Sequence, residues 1–213
     1  FTTQHLLPGM MSYEDIQVQL VDTPPVTKDF MAVHLLSLVR DCDAALLVAD
    51  LSADSVLDDL EAVFSTFALR QIEFVTERAG QDRNQVRARI AANKSDADGA
   101  GERLELLREM WGGRFEILPI SCAKPEGLTG LPEELFRWLR IVRIYTKIPG
   151  RKADLERPYT LFQGATVGDI CTLIHKDFAD KLRFARLWRG SANPITVSRQ
   201  ELLQDKDILE LHL

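Results

Sequence analysis

The chain has 213 residues and a mass of 24.1 kDa, which suits one large domain or a large domain followed by a small one. Hydrophobic residues make up 46% of it and charged residues 27%, so it can bury a core, and disorder as the default state is excluded. Its net charge of -6 excludes a chain-wide cationic field for nucleic acid or anionic lipid, so any RNA contact is expected to be local.

The cysteines and the apolar runs exclude two further classes of protein. Cys42, Cys122 and Cys171 are an odd number, lie far apart and form no CxxC pair, which argues against a disulfide framework or a zinc ribbon and for a reducing cytosol. The longest apolar runs, such as residues 44–49, are far shorter than a membrane span. We therefore expect a cytoplasmic protein with no membrane partner. The chain starts at Phe1 without an initiator methionine, so we expect it to be the C-terminal part of a longer protein.

Strand-like and helix-like segments alternate along the first two thirds of the chain. Short apolar or alternating runs predict strands at residues 16–21, 44–49, 88–92 and 115–120. Apolar residues at helical spacing predict helices at residues 30–39, 56–69, 102–111 and 132–144. The order of these elements, with strands apolar enough to be covered on both faces, predicts an α/β fold with an open, mostly parallel sheet.

The pattern changes between residues 144 and 158, where prolines, a glycine and basic side chains are frequent. We predict one domain over residues 1–144, a basic linker over residues 145–157 and a small α+β domain over residues 158–213. In the small domain the sequence predicts a helix over residues 166–178, with Thr166 as its N-cap, and strands at residues 159–162, 184–188 and 208–213.

The predicted linker is locally basic. Residues 140–157 contain six Lys or Arg and two acidic residues, a surplus of positive charge in an acidic chain. Such a segment suits contact with an RNA backbone, and it equally suits a solvated connector.

The sharpest chemical signal is Asn93-Lys94-Ser95-Asp96, directly after the strand at residues 88–92. At the carboxyl end of a parallel strand, the Asp96 carboxylate can accept hydrogen bonds from the N1–H and the 2-amino group of guanine, a donor pair that adenine lacks. The Lys94 stem can cover the purine face, and Asn93 can tie neighbouring loops together. A plain polar loop is the alternative for these four residues alone.

Three weaker signals accompany this motif. Ser121-Cys122-Ala123 follows the next strand, where small side chains would let the backbone approach a base, although a simple strand-to-helix loop is the alternative. Asp22 ends the strand at residues 16–21, where a carboxylate can hold a Mg²⁺-bound water beside a phosphate, although Asp before two prolines also suits a turn. The Thr3 hydroxyl, with Thr2 as second choice, could complete the Mg²⁺ shell.

In this order the four signals resemble the motifs of the P-loop GTPases. The segments Phe1-Thr-Thr and Ile16-Gln-Val-Gln-Leu-Val-Asp22 resemble the switch region of the Obg branch, most closely the developmentally regulated GTP-binding proteins. The segments Thr166-Val-Gly-Asp-Ile170, Phe184-Ala-Arg-Leu-Trp188 and Asp207-Ile-Leu-Glu-Leu-His212 resemble the TGS domain, a β-grasp fold that ends those proteins.

The resemblance implies a protein that binds GTP or GDP with Mg²⁺. It implies nucleotide contacts by Asn93, Lys94, Asp96, Ser121, Cys122 and Ala123, and metal contacts by Thr3 and Asp22. It also implies association with the ribosome or RNA through the TGS domain and the basic linker, with no DNA partner. It identifies no catalytic residue.

The chain departs from the family in three places. It contains no GxxxxGK[ST] phosphate loop, which we expect upstream of Phe1 in a longer protein and on which GTP hydrolysis would depend. Pro25 stands where the family's Asp-x-x-Gly motif has glycine, and because proline has no N–H and a fixed φ, it predicts weakened or rerouted sensing of the γ-phosphate. The 71 positions from Asp22 to Asn93 leave no room for the additional domain of that branch. The alternative hypothesis is a degenerate GTPase fold that acts as an interaction module with little or no hydrolysis.

Overall fold

The computed structural model describes residues 5–26, 34–78, 82–190 and 192–213. The chain divides into two compact units, one comprising Phe1–Gly9 with Gln19–Leu131 and the other Met10–Val18 with Pro132–Leu213. Over the described ranges, none of the helices combines the length and the apolar character needed to cross a bilayer.

The elements follow one another in an alternating order. Up to residue 139 they are β1 (Leu7–Tyr13), β2 (Ile16–Asp22), α1 (Leu35–Asp41), β3 (Ala45–Asp50), α2 (Val56–Ala68), β4 (Glu73–Val75), β5 (Gln85–Asn93), α3 (Ala100–Trp111), β6 (Ile117–Pro119) and α4 (Leu131–Leu139). After residue 139 they are β7 (Ile141–Lys147), β8 (Ala153–Phe162), α5 (Val167–Ile174), α6 (Phe178–Lys181), β9 (Phe184–Trp188), β10 (Ile195–Val197) and β11 (Asp207–His212).

The first unit is built around β5. The strands β3, β4 and β6 all pair with β5 in parallel, β4 at its start and the other two along its second half. Val86, Ala88, Ile90 and Ala92 lie on one face of β5 and are fully buried, and Ala91 on the opposite face is fully buried as well, so the second half of the strand is covered on both faces. This arrangement confirms the predicted α/β fold with a parallel sheet.

The helices of this unit pack their apolar stripes onto the sheet. In α2, Val56, Leu60, Phe64 and Phe67 recur at helical spacing, and all four are buried. Phe64 stacks on Trp111 of α3 with a ring separation of 4.2 Å. These side chains belong to the apolar core that the helices form with the sheet.

Two of the elements predicted within residues 1–144 differ from the structure. The strand predicted at residues 16–21 pairs with β1 in a separate two-stranded hairpin rather than in the parallel sheet. The helix predicted over residues 132–144 ends at Leu139, because Arg140 adopts a left-handed conformation with φ of 55° and the following residues form β7. The β-branched and aromatic residues concentrated in Ile141–Lys147 favour a strand, and the prediction of a single long helix overlooked this preference.

The second unit contains a five-stranded sheet in the order β10-β9-β11-β7-β8. The β7 and β11 strands are parallel, and the other neighbouring pairs are antiparallel. Helix α5 covers one face through Val167, Ile170 and Cys171, which are fully buried. It begins at a capping box in which Thr166 and Asp169 bond reciprocally, and it ends at Ile174, short of the predicted residue 178.

Residues 145–157 lie within this sheet. They form the end of β7, a turn at Pro149–Gly150 in which Gly150 has a φ of 77°, and the start of β8. A hairpin turn and a boundary between domains use the same proline, glycine and charged residues, so composition does not separate them. The division of the chain into 1–144, 145–157 and 158–213 remains a prediction.

Candidate functional site

Three parallel strands end side by side at one edge of the first unit's sheet. Asp50 of β3 pairs with Asn93 of β5, and Ala92 pairs with Pro119 of β6. Beyond the strands, the Ser95 N–H donates to the carbonyl of Ile120 at 3.0 Å. The loops that follow the three strands therefore start from one edge, where open α/β sheets bind their ligands.

Asn93 joins two of these loops. Its Oδ1 atom accepts hydrogen bonds from the Lys94 N–H at 2.8 Å and from the Cys122 N–H at 3.2 Å. Lys94 has a φ of 60°, a left-handed conformation that turns the chain sharply after the strand. The Asn93 amide thereby holds the turn at residues 93–96 against the turn at residues 121–123.

Asp96 is tied to the same turn. The buried Ser121 hydroxyl donates a hydrogen bond of 2.6 Å to Oδ1 of Asp96. This bond, followed by one from the backbone of Asp96 itself, lowers the pKa of the Asp96 carboxyl below its ordinary value. The side chain lies at the surface, so at neutral pH it presents an ionised carboxylate that can accept hydrogen bonds from a ligand.

The turn at residues 121–123 packs closely against the backbone at Gly127. Cys122 and Ala123 are exposed, whereas Ser121 is buried. A Cβ atom on Gly127 would lie 2.7 Å from the carbonyl oxygen of Ser121, so only glycine allows the following turn, Pro125–Leu128, to approach this closely. The absence of a side chain at Gly127 thus helps to shape the candidate site.

The structure brings together two residues that sequence reasoning did not select. The Lys94 Nζ atom lies 2.7 Å from Oδ2 of Asp50 and 3.2 Å from Oγ of Ser52. Asp50 ends β3, so the strand-end rule that selects Asn93 could also have found it. In the sequence, Asp50 simply follows an apolar run, so its contact with Lys94 is not predictable from the local pattern.

The residues expected to bind a metal are placed only in part. Asp22 is exposed at the end of β2, in the hairpin sheet, so strand register does not bring it to Asn93. Thr3 and Thr2 lie outside the described residues. Within the described part of the chain, no group of three or more His, Cys, Asp or Glu side chains could hold a metal ion.

The basic residues between 140 and 157 differ in their surroundings. The Arg143 side chain is 2% exposed and bonded to Asp205, Glu14 and Asp15, so it is not available to an RNA backbone. Lys147 pairs with Glu210 and lies over the Trp188 ring at 4.8 Å. The exposed basic residues of this segment include Arg151, Lys152 and Arg157.

Comparison with known proteins identifies a domain in this chain and relatives that show its family. The TGS domain model matches residues 142–213. Developmentally-regulated GTP-binding protein 1 of Xenopus laevis is 33% identical over 273 positions, covering 99% of this chain and 73% of that protein. An uncharacterized GTP-binding protein of Methanocaldococcus jannaschii is 25% identical over 275 positions, with 99% and 70% covered. Both alignments are longer than this chain, so these relatives carry residues with no counterpart here.

Solved structures show the same fold. The YchF GTPase of Schizosaccharomyces pombe superposes with a TM-score of 0.60 at 12% identity, over 84% of this chain and 75% of that one. A GTP binding protein of Pyrococcus horikoshii superposes with a TM-score of 0.59 at 16% identity, over 100% and 89%. The sequence identity and coverage of the Xenopus relative show the family more directly. The chain belongs to the developmentally regulated GTP-binding proteins and carries a TGS domain at its C terminus.

Proposed function

We propose that this chain binds guanine nucleotides at the edge formed by the ends of β3, β5 and β6. The observation that carries the proposal is the joined pair of turns, in which Asn93 accepts from the Cys122 N–H and Asp96 accepts from the Ser121 hydroxyl. An ionised carboxylate is thereby held at the surface beside a backbone turn before any ligand arrives. The names of the relatives, which are GTP-binding proteins, support the same ligand.

Each residue has a distinct role in this proposal. The Asp96 carboxylate accepts hydrogen bonds from the N1–H and the 2-amino group of guanine, and the Lys94 stem covers one face of the base. The turn formed by Ser121, Cys122 and Ala123 closes the pocket and offers backbone N–H to the guanine carbonyl oxygen. Asn93 holds the two turns in register and does not itself recognise the base.

The phosphate end of the site is proposed to use Mg²⁺. Asp22 is an exposed oxygen donor at a strand end, which suits an ion that binds few carboxylates and keeps several waters. Asp22 and Thr3 would hold the ion, which would neutralise phosphate charge. Hydrolysis of GTP is proposed for a protein in which a phosphate loop joins these residues.

A second candidate function is a nucleotide-gated or nucleotide-independent interaction module, and Pro25 is the residue that favours it. Proline cannot donate an N–H to a γ-phosphate, so the GTP-bound and GDP-bound states would differ little at this loop. Single-turnover GTP hydrolysis by the full-length protein and its Pro25→Gly variant distinguishes the two. Hydrolysis in the wild type supports the GTPase, whereas intact GDP binding with no hydrolysis supports the module.

Substitution of Asp96 tests base recognition. In Asp96→Asn the amide can donate where the carboxylate accepted, so preference should shift from guanosine to xanthosine nucleotides, measured by fluorescence titration on the full-length protein. Asp98→Asn is the matched control, since it removes an exposed carboxylate from the same loop. Unchanged base preference in Asp96→Asn would contradict the assignment.

Association with the ribosome or with RNA, in the cytoplasm, is proposed through exposed cations of the TGS unit. Arg151 and Lys152 are exposed in the turn between β7 and β8, whereas Arg143 is enclosed by carboxylates. Arg151→Glu with Lys152→Glu should weaken salt-dependent RNA binding, and Lys176→Glu with Lys181→Glu changes the net charge equally as a control. Equal effects of the two pairs would contradict a local RNA surface.

A further inference from the structure

The ammonium group of Lys94 is held by two residues at the end of the neighbouring strand, here called the Lys94 cradle and consisting of Asp50 and Ser52. Oδ2 of Asp50 lies 2.7 Å from the Lys94 Nζ atom, and the Ser52 Oγ atom lies 3.2 Å from it. The strand register places Asp50 directly opposite Asn93, so the cradle forms at the same sheet edge as the proposed base site.

The cradle is ordered by bonds of its own. Oδ1 of Asp50 accepts from the Ser52 N–H at 2.9 Å and from the Ser52 hydroxyl at 2.7 Å, which leaves Oδ2 for Lys94. Burial alone would raise the pKa of Asp50, but hydrogen bonds from Lys94 and Ser52 outweigh it and lower the pKa. The carboxylate is therefore ionised when it meets the Lys94 ammonium.

A nearby arginine fixes the loops on both sides of the cradle. Nε of Arg103 donates to the carbonyl of Leu51 at 2.5 Å, and its guanidinium also bonds the carbonyl of Asp98. The Leu51 N–H continues the strand ladder by donating to the carbonyl of Asn93 at 2.9 Å. The loop that carries the cradle and the loop that carries Lys94 are thus joined by backbone contacts as well as by the ion pair.

We infer that Asp50 is a positioning residue for guanine-nucleotide binding and that it acts through Lys94, not by touching the nucleotide. A lysine side chain that is already ordered loses less conformational freedom when a ligand binds, so the ion pair raises affinity by preorganisation. Ser52 supports this role by occupying the other Asp50 oxygen. The inference rests on the proposed function, because it assigns Asp50 to the same site.

The test measures GDP affinity of the full-length protein with Asp50→Asn. Both partners are about half exposed, with side-chain exposures of 45% for Asp50 and 52% for Lys94. The range for exposed ion pairs corresponds to at most about fivefold in affinity, so GDP should bind about two- to fivefold more weakly with guanine preference retained. Asp58→Asn is the matched control, since it removes an exposed carboxylate in the first turn of the nearby helix α2. It should leave affinity unchanged.

A double-mutant cycle separates positioning from a general structural role. In the Lys94→Met background, Asp50→Asn should have no further effect on GDP affinity, whereas a structural role of Asp50 would persist there. If the wild type binds guanine nucleotides selectively, two results would overturn this inference and leave the proposed function intact. One is an unchanged GDP affinity in Asp50→Asn. The other is an equal loss of GDP affinity on Asp50→Asn in the wild type and in the Lys94→Met background. Absence of guanine-selective binding in the wild type would overturn the proposed function and this inference with it.

Discussion

Replacement of Arg143 by alanine should destabilise the second unit strongly. The guanidinium binds both carboxylate oxygens of Asp205, at 3.0 and 2.7 Å, and also bonds Glu14 and Asp15 of the β1–β2 turn. Its central carbon lies 4.9 Å from the centre of the Phe136 ring. Removing the side chain leaves three carboxylates facing one another without their shared cation.

The expected loss follows from the burial of the partners. Breaking a buried ion pair by removing one partner costs about 3–5 kcal/mol. The Arg143 side chain is 2% exposed, but those of Asp15, Asp205 and Glu14 are 23%, 33% and 46% exposed, so water can partly solvate the remaining carboxylates. We therefore expect the lower end, about 3 kcal/mol, which corresponds to roughly 12 °C or more in Tm for a unit of this size.

Urea unfolding followed by circular dichroism measures this loss, with two comparison variants. Arg143→Met retains packing on Phe136 and should lose nearly as much stability as alanine, because the charged hydrogen bonds carry the effect. Arg137→Ala is the matched control, since that arginine is 66% exposed, pairs with Glu133 within α4 and should cost no more than about 1 kcal/mol. Equal losses for Arg143→Ala and Arg137→Ala would refute the reasoning.

The same cluster gives the stability a defined pH dependence. Hydrogen bonds, chiefly from Arg143, lower the pKa of Glu14; in Asp15 and Asp205 burial acts to raise the pKa, and hydrogen bonds from Arg143 and Tyr145 outweigh it. Because the folded pKa values lie below the ordinary values of 4.5 and 3.8, the stabilisation is complete above those values and is lost as pH falls through the folded ones. In urea melts between pH 7 and pH 3, Arg143→Ala should reduce the loss of unfolding free energy that the wild type shows as the pH falls. An unchanged pH dependence in Arg143→Ala would contradict the assignment.

Two further substitutions have local consequences. Gly127→Ala should lower the free energy of unfolding in urea melts by about 1–3 kcal/mol and weaken GDP binding, because the new Cβ would meet the Ser121 backbone. Gly130→Ala, whose Cβ would have no atom within 4 Å, should change neither property. Equal behaviour of the two variants would contradict the close approach of Gly127 to Ser121. Thr166→Ala should lower the free energy of unfolding by about 1 kcal/mol, because it removes the capping box of α5. Ser55→Ala at the start of α2 should lower it less, because Ser55 makes no side-chain cap bond. A larger loss for Ser55→Ala would contradict the role of the cap.

Much of the fold could be predicted because local pattern and burial agree. The run at residues 44–49 and the helical spacing at residues 56–69 each lie within one residue of β3 and α2. Thr166 predicts the start of α5 as its N-cap, and in the structure it forms a capping box with Asp169. Short strands such as β4 and β10, with three residues each, carry too little periodicity to be found.

The candidate site could be predicted only where a short sequence motif carries the chemistry. Asn93 and Asp96 lie in one motif, and the structure places them against the turn that begins at Ser121. Asp50 lies 44 positions from Lys94, and the pair becomes visible only when strand register is known. The sequence around Arg143 predicts a basic segment, and it does not reveal that the three carboxylate partners of Arg143 come from positions distant in the chain.

An equilibrium titration tests the central claim most directly. Fluorescently labelled GDP, GTP and ATP analogues are titrated with Mg²⁺ into the protein. If guanine nucleotides bind at the strand ends, the protein should bind GDP and GTP and discriminate strongly against ATP. Equal affinity for ATP, or no nucleotide binding, would contradict the claim.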